Sequence, residues 1–119
     1  MEKNNKFQAN SRLKKKSDFL NLRSGAKASS DKFFRIYYKE NNRELSRLGV
    51  SVSKKYGNAV ARNKIKRIIK EIYRKNSAKN SSKDILVAIN FNTINSKSFL
   101  KNKELFIKNF EKKLSGVGE

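Results

Sequence analysis

The sequence predicts a mixed α/β (α+β) two-layer sandwich with the element order α-β-β-α-β-α. Three observations carry this. Short segments alternate apolar and polar residues with a period of two, the mark of half-buried strands. A longer segment, running from the Gly57-Asn58 turn to about Lys75, has the 3.6-residue period of an amphipathic helix and stands between two such strands. At 119 residues the chain is one domain's worth, and no proline interrupts any element.

The elements follow in order. Residues 1–11 are polar and charged and are expected to form a disordered arm. Residues 12–114 are expected to form a single domain, and residues 115–119 a frayed tail. Arg12 to Lys16 is a basic cluster. Ser17 then caps a short helix carrying Phe19, Leu20 and Leu22, which Gly25 ends. Ala26 to Asp31 reads as a small polar loop. Phe33 to Lys39 is an aromatic-rich strand; alternation puts Phe34, Ile36 and Tyr38 on one face, and Phe33, Arg35 and Tyr37 on the other. After a polar turn, Leu48, Val50 and Val52 alternate with Gly49, Ser51 and Ser53. Lys54 to Asn58 turns into the amphipathic helix, with Asn58 as its cap and Gly57 supplying a backbone shape other residues resist. Ile85 to Phe91 is the third strand. A final helix from about Ser98 to Leu114 buries Phe99, Phe106, Ile107, Phe110 and Leu114.

Charge narrows the function. Thirty Lys plus Arg against ten Asp plus Glu give a net charge of +20. Such a chain repels itself unless a polyanion compensates, and nucleic acid is the commonest one. The basic residues are also sorted. At 100° per residue Ala61, Ile65, Ile68, Ile69 and Ile72 share one sector of about 100°. Arg62, Asn63, Lys66, Arg67, Lys70 and Arg74 are assigned to the opposite side, with Lys64 nearer the edge of that strip. The chain has no Cys and no His. Disulfides, thiolate metal sites and the usual general base and zinc ligand are therefore excluded. The acids do not cluster in sequence, so neither catalytic residues nor a metal cage are expected on the protein. No segment approaches the ~20 apolar residues of a membrane span, and the N-terminus lacks the apolar core of a signal peptide. The expectations at this point are a cytoplasmic protein with a nucleic-acid partner and no partnership with membrane.

The central residues resemble a known family. Val52-Ser53-Lys54-Lys55, Gly57-Asn58 and Arg62-Asn63-Lys64-Ile65-Lys66-Arg67 match the V-S-K-K strand end, the G-N turn and the R-N-R-x-K-R helix start of the bacterial ribonuclease P protein subunit. Lys64 stands in place of the second arginine, keeping charge but not a bidentate grip. Arg12-Leu13-Lys14, Asp18-Phe19 and Phe34 to Tyr37 extend the resemblance more weakly, over about residues 10–115. It implies the accessory protein of a ribozyme endoribonuclease, which removes the 5′ leader of precursor tRNA to generate the mature 5′ end. Chemistry would lie on the RNA, with Mg²⁺ required by that RNA and no cofactor bound by protein residues. It also implies a left-handed strand–helix–strand crossover, against the general right-handed preference.

Two sets of site residues follow. Lys54, Lys55, Asn58, Arg62, Asn63, Lys64, Lys66, Arg67 and Lys70 are the candidates for contact with the catalytic RNA. Phe19, Arg35, Tyr37, Ser51 and Ser53 are the candidates for a cleft holding the single-stranded leader of precursor tRNA, where aromatic stacking joins a positive groove. Leu22-Arg23 stands where the family pattern suggests a second aromatic. Size and charge alone also suit a small ribosomal protein or a DNA-binding regulator. The central motif argues against the first, and the lack of a helix-turn-helix partner just before the basic helix argues against the second.

Overall fold

The computed structural model describes residues 26–118. The expected arm (1–11), the basic cluster Arg12 to Lys16 and the first helix with Phe19 lie outside the described residues. Strands β1 (Lys27–Ser30), β2 (Phe34–Glu40), β3 (Arg47–Ser51) and β4 (Lys83–Ile89) form one mixed sheet in the order β1-β2-β4-β3. Helix α1 (Ala59–Lys75) connects the parallel neighbours β3 and β4, and helix α2 (Phe99–Gly118) follows β4. Single 3₁₀ turns at Lys54–Tyr56 and Ser77–Asn80 flank α1.

The core lies between the two helices and one face of the sheet. Phe34 and Ile36 of β2, Leu48 of β3, and Ile85, Val87 and Ile89 of β4 are buried there, as alternation requires. They meet Ile65, Ile69 and Tyr73 of α1, and Phe106, Phe110 and Leu114 of α2. Much of the packing is aromatic. The Phe34 ring stands edge-on to Phe106 and Phe110, with centroids 5.7 and 5.4 Å away, a geometry the ring quadrupoles favour.

Four expectations need correction. The expected loop at Ala26 to Asp31 contains β1, whose four residues pair antiparallel with Tyr38 to Arg35 of β2. Its sequence KASS has no apolar alternation, because its pairing is a backbone interaction with the free edge of β2. Phe33 does not join Arg35 and Tyr37. It precedes β2 and is buried in the main core, 6.2 Å from the Phe106 ring. A turn in which the Asp31 carboxylate accepts the Phe33 amide swings it inward. The third expected strand ends at Ile89, so Phe91 sits in the following turn. Finally, the last helix does not fray after Leu114. It continues to Gly118, Val117 is buried, and the Lys83 ammonium donates to the Val117 carbonyl at 2.7 Å. A cation on a last-turn carbonyl both satisfies that acceptor and complements the helix dipole.

Candidate nucleic-acid interface

The strand register fixes the sheet face turned away from the helices. Directly paired residues share a face. One row across the sheet reads Ser30, Arg35, Ala88, Ser51; the next reads Ala28, Tyr37, Leu86, Gly49. Arg35, Tyr37 and Ser51 therefore lie on one surface, with Arg35 and Ser51 two strands apart, roughly 10 Å at the usual strand spacing. The Arg35 guanidinium lies over the Tyr37 ring, 5.4 Å from its centroid. Leu86 is buried on this face, with Ala26 and Tyr37 packed against it. Ser53 follows β3, and its hydroxyl accepts the Lys55 amide at 3.2 Å, capping the 3₁₀ turn. Phe19 lies outside the described residues.

Helix α1 starts at the same end of the sheet. Asn58 caps it, its side-chain oxygen accepting the Ala61 amide at 2.9 Å. Gly57 is needed there for space. Its φ of 165° is extended, but a Cβ would lie 2.7 Å from both Cβ and Oγ of Ser96. The loop before α2 is held this close because the Ser96 amide donates to the Tyr56 carbonyl at 2.8 Å.

The buried stripe of α1 is Ile65, Ile69 and Tyr73, with Ala61, Ile68 and Ile72 partly buried alongside. Tyr73, absent from the sequence-based stripe, rotates the helix towards one flank. Its hydroxyl is hydrogen-bonded to that of Ser46, the buried polar residue among those described. Burial raises the phenol pKa; the bond to Ser46 works against this and the charge of Asp84 adds to it. The rotation corrects the placement of Arg62. It stands only about 20° beyond Ile69 on the helical wheel, and it is half-buried with its Nε donating to the Gly57 carbonyl at 3.1 Å. Lys66 and Lys70 continue this flank, also half-buried, while Asn63, Lys64 and Arg67 are exposed. Lys54 and Lys55 are exposed on the turn before the helix.

Acids are scarce along this surface. Glu71 pairs with Arg74, one turn further on. No described carboxylate pairs with Lys66 or Arg67. The other end of the sheet differs. There Arg47 forks onto Asp84, with Nε to Oδ1 at 2.8 Å and Nη2 to Oδ2 at 2.6 Å, and Asn41 donates to Oδ1 at 3.1 Å. Burial pushes the Asp84 carboxyl up, but the hydrogen bonds from Arg47 and Asn41 and the charges of Arg47 and Arg43 outweigh it, so its pKa lies below the ordinary value. Among the described residues no group of three or more His, Cys, Asp or Glu could hold a metal ion, and no helix is long and apolar enough to cross a membrane.

Phe91 is not among the sequence-based candidates, but it stands beside Lys55. It is half-buried against the core, and the Lys55 ammonium stands 5.3 Å from its ring centroid. The two residues are 36 positions apart, so spacing offers no signal; only the parallel pairing of β3 and β4 brings their loops together.

Comparison with known proteins bears on the family and the fold. The sequence model of the Ribonuclease P family matches residues 7–112. The chain is 41% identical over 109 residues to the ribonuclease P protein component of Dictyoglomus turgidum, covering 89% of this chain and 91% of that one. It is 38% identical over 109 residues to that of Staphylococcus epidermidis, covering 87% and 95%. Among solved structures, the RNase P protein of Thermotoga maritima in complex with 1-(4-fluorophenyl)-2-thiourea superposes with a TM-score of 0.69 at 29% identity, over 84% of this chain and 97% of that one. The Staphylococcus aureus RNase P protein gives 0.65 at 34% identity, over 83% and 94%. A basic helix carrying Arg62-Asn63 near its start, a four-stranded sheet beneath it and matches of this extent lead to one conclusion: the chain belongs to the ribonuclease P protein family.

Proposed function

We propose that this chain is the protein subunit of ribonuclease P, working with a catalytic RNA to remove the 5′ leader from precursor tRNA. Lys54, Lys55, Asn58, Arg62, Asn63, Lys64, Lys66, Arg67 and Lys70 would face the catalytic RNA. Arg35, Tyr37, Ser51 and Ser53 would face the leader, joined by Phe19. The observation that carries this reading is the meeting of two surfaces at one end of the sheet: a helix flank rich in cations, and a sheet row of Arg35 and Ser51 beside Tyr37.

The work of such a protein is electrostatic. Cations on α1 neutralise phosphates and release counterions, which stabilises a folded polyanion. The sheet face adds a stacking ring and a guanidinium, the pairing that holds single strands. Bond cleavage is assigned to the RNA and the Mg²⁺ it requires, and no protein side chain is given a catalytic role. Reconstitution tests this. With the cognate catalytic RNA at low Mg²⁺, the protein should raise precursor cleavage and favour leader-bearing precursor over mature product. No gain at any protein concentration would overturn the proposal.

A further inference from the structure

The turn after β4 is more tightly built than a surface loop needs. The Asn90 amide donates to the Phe33 carbonyl at 2.8 Å, tying the turn to the start of β2. The Asn90 carbonyl accepts from the amides of Thr93 and Ile94, at 3.1 and 3.2 Å, and its side-chain oxygen accepts from the Asn92 amide at 3.1 Å. Ile94 is buried and anchors the far side. Phe91 projects from this fixed turn. It packs partly on the core, yet part of it stays in solvent at the end of the sheet. Lys55, itself exposed, holds its ammonium near the ring.

The ring is neither fully covered, as the core phenylalanines are, nor detached from the core. A ring held rigidly, partly open, with a cation alongside has the two features that grip an unpaired nucleotide: a flat apolar face for the base and a positive charge for its phosphate. Rigidity lowers the ordering cost of binding. We infer that Phe91 and Lys55 form a stacking platform for one unpaired nucleotide of RNA, where the Arg35–Ser51 row meets the N-terminal end of α1. This rests on the RNA-binding role proposed above. Lys55 leaves the ring for the phosphate as the base takes its place, so the cation–π contact gives way to a base–ring stack and an ammonium–phosphate contact.

The test measures affinity of the reconstituted complex for a leader-bearing precursor and for the same RNA without its leader, using F91L and F91Y. Phe91→Leu removes the flat ring while keeping an apolar side chain; Phe91→Tyr keeps the ring. Thermal unfolding of each variant gives the folded fraction, to which affinities are referred. F91L should weaken binding of the leader-bearing precursor about tenfold, the order supplied by one stacked base, and F91Y should stay near the parent. A loss confined to leader-bearing RNA assigns the nucleotide to the leader. If both the leader-bearing and the leaderless RNA bind the assembled complex as tightly as they bind the parent, but F91L weakens assembly with the catalytic RNA tenfold, the nucleotide belongs to that RNA. Unchanged affinities in F91L overturn the platform while leaving the proposed function standing. If the parent complex itself fails to bind precursor, the proposed function falls and the platform with it.

Discussion

The two ends of the sheet hold charge in opposite ways. At the end formed by Arg47 and Asp84, charge is matched inside the protein: a bidentate ion pair and an Asn41 amide satisfy one carboxylate, and the Ser46–Tyr73 hydroxyl pair lies near enough for Tyr73 to feel its charge. At the end formed by Arg35, Ser51 and the start of α1, cations collect without matching acids among the described residues. Asp31 is there, but its carboxylate is engaged by the Phe33 amide. The lesson is a division of labour within a +20 chain. Internal pairing is placed where the fold must close, and unmatched charge where a polyanion would complete it.

That contrast can be broken at its matched end first. Asp84→Ala would remove the carboxylate that Arg47 grips with two hydrogen bonds. Removing one partner of a fully buried pair costs about 3–5 kcal/mol. Each side chain here keeps 18% exposure, so water takes part and we expect about 2 kcal/mol of lost stability in urea unfolding. RNA affinity per folded molecule should hold. A large loss of affinity in fully folded protein would mean that this end, too, faces RNA.

The unmatched end should respond in reverse. Lys66→Ala combined with Arg67→Ala removes two cations that support no described ion pair, so stability should change by less than about 0.5 kcal/mol. Binding of the catalytic RNA should weaken, and its dependence on log salt should flatten by roughly 1.5 units for two lost phosphate contacts. An unchanged slope would remove α1 from the RNA surface. Arg62 is a poorer probe, since its bond to the Gly57 carbonyl mixes folding with binding.

The smallest expected effect is on pH. The folded Asp84 pKa lies below its ordinary value, so the carboxylate stabilises the fold above about pH 4, the unfolded-state value, and this contribution fades as pH falls further, through the folded pKa. Asp84→Asn should be less stable at neutral pH but should lose less on acidification. Parallel acid limbs for parent and variant would show that Asp84 is not the group responsible.

Much of the fold was legible in the chain itself. Alternation in β2, β3 and β4 and the isoleucine stripe of α1 were local signals, because burying one face of a strand or helix imposes a period on its sequence. The turn at Gly57-Asn58 was legible too, although the glycine serves close packing against Ser96 rather than an unusual backbone shape. Strand β1 was not legible, since a polar edge strand is set by the edge it meets. Arg62 was misplaced because the apolar sector was drawn without Tyr73, a residue whose hydroxyl can be buried only where Ser46 waits for it. The platform at Phe91 left no trace in spacing.

Sequence alone determined the sign and density of charge, the alternation that makes a sheet and the amphipathic period that makes α1, because each arises from neighbours within a few residues along the chain. Tertiary structure decided which cations remain unmatched, how far α1 is rolled, and which distant loops share a corner. Those depend on strand order and register, which place Asp84 against Arg47 and Phe91 beside Lys55, and no local period carries that information.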